Sequence, residues 1–426
     1  MRELDRVIGY EGIKNELYRI IDIIKNPAKY KKLGVSVPKG ILLSGDPGIG
    51  KTLMAKSFIK ETGLEKFVIR KDRPDGEFID YIRETFEKAA EKAPCIILLD
   101  DLDKFANEDN YHRDAEEYVT VQSCIDDVKE IDVIVLATCN DYRKLPDSLV
   151  RSGRFDKRFF MDFPGYEDAK KIIAFYLKDK KVSEDIDVEE IARFSEGHSC
   201  ADIEMVLNEA GIYAGYEDKK HISQEDIKTA IINKIFHGSE TEECDSTSNL
   251  RLAVHEAGHA AVSELFFPGQ VAFVSIDARS CGVRGMVLRS KDPHLFDCFN
   301  NLEVEIMINL AGKAATELIL NEIDTGTSED INNAYRHLGK MLDDVASYDF
   351  LSWSDYREAS NNILDHLDQA KSVEIARYYV KTKQLLGKNR AFLEELIDLL
   401  IEKKTISYKD IAPVREKYVP DHGAAA

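Results

Sequence analysis

Apolar residues gather in short runs at Gly40–Leu43, Phe67–Ile69, Cys95–Leu99 and Val133–Ala137, each of strand length. Between the runs the spacing becomes helical, as over 79–90, where Ile79, Ile82, Phe86, Ala89 and Ala90 share one stripe. Strands alternating with helices predict a parallel, doubly wound α/β sheet covered on both faces. After Pro164-Gly165 the strand signals stop, and 169–176, 188–194, 201–213 and 224–235 read as helices of a small domain. The stretch 238–248, GSETEECDSTS, is polar and acidic and reads as a linker. Helical spacing then returns and runs to about Lys417. It is interrupted by a strand-like piece over 271–288, with turn signals at Arg279-Ser280 and Gly282. The predicted organisation is an α/β domain over 1–163, a helical domain over 164–237, a linker over 238–248, a mainly helical domain over 249–418 and a frayed tail over 419–426.

Composition narrows the class. At about 150 residues per domain, 426 residues allow two to four domains, each able to bury a core. Apolar residues at 44% and charged ones at 32% exclude disordered, collagen-like and low-complexity chains. Acids outnumber bases by 78 to 58, for a net charge of -20. That surface repels phosphate backbones and anionic lipid, so no nucleic-acid partner is expected. The seven cysteines are scattered, odd in number and without a C-x-x-C pair, which argues for reduced thiols rather than disulfides or a zinc ribbon. Glu3 and Asp5 rule out a signal peptide at Met1–Tyr10. The apolar runs fall far short of the roughly 20 residues that span a bilayer. As written, the chain reads as a soluble, cytoplasmic protein.

Two motifs carry chemistry. Gly45-Asp46-Pro47-Gly48-Ile49-Gly50-Lys51-Thr52 matches G-x-x-x-x-G-K-[ST], directly after a predicted strand and directly before a predicted helix. Its glycines let backbone N–H groups turn toward phosphate, Lys51 reaches the β- and γ-phosphates, and the Thr52 hydroxyl holds Mg²⁺. The run Cys95–Leu99 ends in Asp100-Asp101, so Asp100 is placed to orient Mg²⁺ and Asp101 to activate water. Asn140 ends the next strand, where an amide senses γ-phosphate or positions water. Arg151 and Arg154 are candidate arginine fingers. In the second half, His255-Glu256-Ala257-Gly258-His259 is H-E-x-x-H on a helix, with Leu252, His255, His259 and Val262 on one face. Imidazoles at i and i+4 can meet one Zn²⁺, and Glu256 then sits beside the metal-bound water as general base. Gly258 and Ala257 are expected to keep the helix thin beside the metal. A third ligand must come from a distant segment, and two acids compete: Asp330, which opens a helix after Thr325-Gly326-Thr327-Ser328-Glu329, and Glu317 on the 310–320 helix.

These motifs stand in one order with Pro38-Lys39-Gly40-Ile41-Leu42-Leu43, Ala93-Pro94-Cys95-Ile96-Ile97 and Arg151-Ser152-Gly153-Arg154-Phe155-Asp156. So do Ala201-Asp202-Ile203, Asn208-Glu209-Ala210 and Ala311-Gly312-Lys313-Ala314-Ala315. Over roughly residues 5–415 the chain closely resembles the FtsH family of AAA+ zinc metalloproteases. The resemblance implies an AAA+ domain, a helical lid and a zinc peptidase domain that degrade protein substrates with ATP and Mg²⁺. It implies a homo-hexamer with ATP between subunits, Arg151 and Arg154 completing the neighbour's site, and a protease ring below the ATPase ring. It assigns Asp330 as the third zinc ligand, makes Glu317 an acid behind the ligands, and has the Gly285–Leu288 strand edge pair with extended substrate.

The chain departs from the family's pattern in four places. No N-terminal membrane anchor is present, so membrane attachment is expected only if an anchor upstream of Met1 was removed. Asp101 stands where the family has Glu, one methylene longer, which predicts slow ATP hydrolysis. Asp46 adds a negative charge to the phosphate loop. Arg70-Lys71-Asp72-Arg73-Pro74-Asp75-Gly76-Glu77-Phe78 replaces an aromatic–hydrophobic–Gly pore loop, with Phe78 and Tyr81 read as core residues rather than substitutes. The expected function is an ATP-dependent zinc endopeptidase whose AAA+ ring drives or gates substrate entry. The first alternative is a non-proteolytic AAA+ remodelling or scaffold protein with a weakened motor. A nucleic-acid-dependent ATPase explains the phosphate loop but neither the charge nor the H-E-x-x-H motif.

Overall fold

The computed structural model describes residues 2–34, 37–106, 115–151, 153–195, 197–236, 246–276, 285–290, 299–322, 328–343 and 361–419. Most of the expected linker, the turn signals at 279–282, the segment 325–327 and the tail from 420 lie outside the described residues. The chain divides into two compact units, Met1–Lys181 with Ser195–Asn208, and Val182–Phe194 with Glu209–Ala426. The helices expected as a separate domain over 164–237 are therefore shared between the two units.

The first unit opens with α1 (Glu11–Lys25) and α2 (Pro27–Lys31), then alternates strands and helices. These are β1 (Gly40–Ser44), α3 (Lys51–Thr62), β2 (Glu65–Ile69), α4 (Asp75–Glu91), β3 (Cys95–Leu99), α5 (Ala115–Asp127), β4 (Val133–Cys139), α6 (Asp147–Val150), β5 (Lys157–Phe160) and α7 (Tyr166–Leu177). The strands form one parallel sheet in the order β2-β3-β4-β1-β5. Side chains alternate between its faces. Leu42, Ile97, Leu99, Val133 and Val135 pack with Phe78, Ile82 and Phe86 of α4 on one side. Ile41, Leu43, Ile96, Leu98 and Leu136 pack with Leu17 of α1 and Met54 and Phe58 of α3 on the other. Burial on both faces explains why the central strands read as unbroken apolar runs. The fifth strand has no such run: Lys-Arg-Phe-Phe at a sheet edge is only half buried. Gly40 is needed at the start of β1, because a Cβ there would lie 1.6 Å from the Arg154 carbonyl oxygen.

The helices α8 (Val188–Phe194), α9 (Cys200–Tyr216) and α10 (Gln224–Phe236) follow, α9 contributing residues to both units. The rest of the second unit is α11 (Ser246–Phe266), β6 (Val271–Ser275), β7 (Met286–Arg289), α12 (Phe299–Leu320), α13 (Ser328–Asp343), α14 (Asn361–Lys388), α15 (Arg390–Lys403), β8 (Thr405–Ser407) and α16 (Tyr408–Tyr418). The helix α11 begins inside the expected linker. Its Ala253, Val254, Ala257, Ala260, Ala261 and Val262 are all fully buried, and His255, Glu256 and His259 are buried with them, so the middle of the helix is enclosed. The three strands form an antiparallel sheet in the order β7-β6-β8. Among the described residues no helix is long and apolar enough to cross a membrane.

Candidate active site

The phosphate loop lies between β1 and α3, at the carboxyl ends of the parallel strands, where ligands of open α/β sheets bind. Gly45, Gly48 and Gly50 all have positive φ, at 144°, 79° and 98°, a backbone course open chiefly to glycine. Lys51 is 5% exposed and its Nζ donates to the carbonyls of Gly45 and Asp46, both at 2.7 Å. Burial lowers the Lys51 pKa, against the raising influence of Asp101, Asp103 and Asp46. Asp46 itself is exposed. A cleft of about 710 Å³ beside the loop is lined by Gly45, Asp46, Asn140, Tyr142, Arg158 and Phe160, among others.

Asp100 is buried at the end of β3. Its Oδ1 accepts hydrogen bonds from Thr52 at 3.2 Å and Thr138 at 2.9 Å, and its Oδ2 from the Arg70 guanidinium at 2.7 Å. A hydroxyl and a carboxylate this close fit a shared hard cation such as Mg²⁺. Asp101 is in the left-handed region at φ 56°, tolerated by a short polar side chain. Burial raises its pKa, but the hydrogen bond and charge of Lys104 outweigh this and lower it. Lys104 Nζ donates to Asp101 at 2.7 Å, and the Asn140 amide lies at 3.5 Å.

The two candidate fingers differ. Arg151 is exposed. Arg154 is 4% exposed; its Nε and one terminal nitrogen donate to Asp126 at 3.1 and 2.6 Å, and the other donates to the Ser148 carbonyl. Phe78 is fully buried against Phe105, ring centroids 5.2 Å apart, and Tyr81 donates to the Val68 carbonyl. Phe78 is a core residue, and Tyr81 is half-buried against that core.

Partners that spacing alone did not reveal complete the loop. The Ala201 N–H donates to the Gly48 carbonyl at 3.1 Å, and a Cβ on Gly48 would meet Ser199 Oγ at 2.6 Å. The Tyr10 hydroxyl donates to the carbonyls of Ile49 and Asp162 at 3.2 and 2.7 Å.

In the second unit, α11 presents His255 and His259 one turn apart, and α13 contributes Asp330 from its first turn. The three donors lie within 4.8 Å of one another. His255 Nε2 is 3.2 Å and His259 Nε2 3.5 Å from Asp330 Oδ2, and the two Nε2 atoms are 3.1 Å apart. His259 Nδ1 lies 2.7 Å from the Ile308 carbonyl. A carbonyl only accepts, so Nδ1 carries the proton and the Nε2 lone pair faces the cluster. Burial raises the Asp330 pKa, yet its contacts with the His255 and His259 imidazoles hold it well below the usual carboxylate range.

Two imidazoles and one carboxylate in this array suit a tetrahedral Zn²⁺ with one open position. The space is kept by Gly312 of α12, where a Cβ would sit 2.5 Å from both His255 Cε1 and His259 Nε2. Gly258, expected to thin the helix beside the metal, faces elsewhere; its Cβ would meet the Ala311 carbonyl oxygen and Ala315 Cβ, each at 2.6 Å. It allows α11 and α12 to cross closely. Glu317 turns away from the imidazoles, accepting from Tyr379 and, at 2.7 Å, from Lys383. Glu256 is 7% exposed, its Oε1 2.6 Å from where a Cβ on Gly285 would stand, just ahead of β7. Ile308, Gly312 and Gly285 were not singled out by spacing, since none of the three carries a metal-binding side chain.

Comparison with known proteins matches both sites. Residues 41–163 match the ATPase family associated with various cellular activities (AAA), 185–229 the AAA+ lid domain, and 242–414 peptidase family M41. Relatives include the ATP-dependent zinc metalloproteases FtsH 2 of Phytoplasma mali, 28% identical over 96% of this chain and 62% of its own length, and FtsH of Leptotrichia buccalis, 32% over 96% and 56%. FtsH of Ruminiclostridium cellulolyticum is 30% identical over 97% of this chain and 72% of its own length. The chain thus spans between 56% and 72% of these relatives. With the ATPase, lid and peptidase segments matched in one order along nearly its whole length, the chain belongs to the FtsH family of ATP-dependent zinc metalloproteases.

Proposed function

We propose that this chain is an ATP-dependent zinc endopeptidase acting on protein substrates. The observation that carries the reading is the convergence of His255, His259 and Asp330 within 4.8 Å, with Glu256 on the same helix and next to β7. Zinc held there supplies Lewis acidity toward a water and a peptide carbonyl. Glu256 takes the proton of the attacking water and passes it to the leaving amine. The Ile308 carbonyl holds the His259 imidazole in the tautomer whose Nε2 lone pair faces the donors. Substrate lies extended along the edge of β7 that no described strand covers, which presents backbone groups for pairing.

ATP occupies the loop 45–52, with Lys51 leaving the Gly45 and Asp46 carbonyls for the phosphates, and Thr52 and Asp100 holding Mg²⁺. Asp101 serves as base and Asn140 as γ-phosphate sensor. Hydrolysis is slow, because the Asp101 carboxylate is short and bound to Lys104. The working form is a homo-hexamer in which exposed Arg151 reaches the neighbour's nucleotide. Arg154 joins it only by leaving Asp126, so its share is the smaller. The alternative of a non-proteolytic remodelling protein is favoured by the buried Phe78 and the engaged Asp101, but it leaves the metal cluster without a use.

The deciding experiment measures zinc content together with cleavage of an unfolded protein, with and without ATP, in wild type and Glu256→Gln. Loss of the general base is expected to lower cleavage at least about 100-fold with zinc retained. Equal cleavage by the variant, or a wild type that binds no zinc, overturns the reading.

A further inference from the structure

We infer that Arg70 is a built-in counter-cation for Asp100, so that this chain takes up nucleotide with little help from Mg²⁺. The inference rests on the nucleotide-binding reading of loop 45–52 and concerns how the charge of that site is balanced.

Sheet register sets the pair. The strands β2 and β3 run parallel with Ile69 opposite Leu99, and the Asp100 N–H donates to the Ile69 carbonyl at 2.9 Å. Arg70 and Asp100 are the next positions beyond that rung, so the guanidinium reaches the carboxylate without a detour and donates to Oδ2 at 2.7 Å. The Arg70 side chain is 58% exposed and the Asp100 side chain only 5%. The charge is thus delivered from the open side onto a buried acid. The connection from β2 to α4 runs only from Arg70 to Pro74, and Arg73 is stacked on the Tyr81 ring at 4.0 Å. Arg70 therefore has little freedom to withdraw its backbone.

With Thr52 and Thr138 on Oδ1, Asp100 already accepts three hydrogen bonds. Mg²⁺ sheds its water reluctantly and is drawn to a site chiefly by anionic charge. A guanidinium at 2.7 Å offsets part of that attraction, so that Mg²⁺ held by Thr52 and Asp100 adds little to the affinity for nucleotide. A cavity of about 780 Å³ along the β2 edge is lined by Lys56, Lys60, Lys66 and Arg70 along with Asp72 and Asp100.

The test is titration with a fluorescent ATP analogue, in Mg²⁺ and in EDTA, of wild type, Arg70→Met and the neighbouring control Arg73→Met. In wild type and Arg73→Met, Mg²⁺ is expected to tighten binding by less than about threefold, and in Arg70→Met by roughly tenfold or more. A wild type that itself gains tenfold overturns the inference and needs no variant, so misfolding of Arg70→Met does not protect it. The same small gain in Arg70→Met as in wild type also overturns it. Absence of binding in either medium overturns this inference and the nucleotide reading together, whereas tight, strongly Mg²⁺-dependent binding overturns this inference alone.

Discussion

Gly312 has no side chain, and the two imidazoles use the room. A methyl group there would stand 2.5 Å from His255 Cε1 and His259 Nε2, a separation that forces a ring or a helix to move. Gly312→Ala is expected to lower zinc affinity at least about tenfold, measured by competition with a chelator, while circular dichroism shows the helices intact. The histidines were legible because a spacing of four on a helix is local chemistry. Asp330 lies 75 positions from His255, so composition left it level with Glu317 and only family resemblance separated them. Gly312 was quoted in that resemblance, but no rule of spacing assigned it a role, because the space it leaves exists only once α12 crosses α11. Arg154 was read from its motif as reaching a neighbour's nucleotide, and within this chain it is buried against Asp126.

Elements follow the same division between local and distant information. The central strands announced themselves because both faces are covered. The strands β5 and β8 did not, one being half charged at an edge and the other, Thr405–Ser407, too short to show a period. What holds α11 to the sheet is also a distant effect. Glu264, 2% exposed, accepts from the Gly269 and Val271 N–H groups at 2.8 and 2.9 Å and pairs with Arg415 of α16 at 2.9 Å. Glu264→Ala leaves a buried guanidinium and two backbone donors without their acceptor, and is expected to destabilise by about 3 kcal/mol. Chemical denaturation, followed by far-ultraviolet dichroism, measures it; a loss below about 1 kcal/mol would place this pair with ordinary surface bridges.

At the scale of the molecule, each ligand site lies wholly inside one compact unit, the phosphate loop in the first and the metal donors in the second. Ligand that binds only the folded state stabilises by about 2.7 kcal/mol at a hundredfold excess over Kd. Zinc is therefore expected to slow hydrogen exchange in α11, α12 and α13, and ATP to slow it around β1 and α3, each leaving the other unit nearly unchanged. Uniform slowing by either ligand would contradict this. The sheet of the second unit carries a consequence of its own. Among the described residues β6 alone pairs with β7, so no described strand lies beside the outer rim of Met286–Arg289. A ladder engages only every second residue of an incoming peptide. A walk of single N-methyl groups along a model substrate should thus alternate between blocking its cleavage and sparing it, a two-residue rhythm written by the strand and not by the metal.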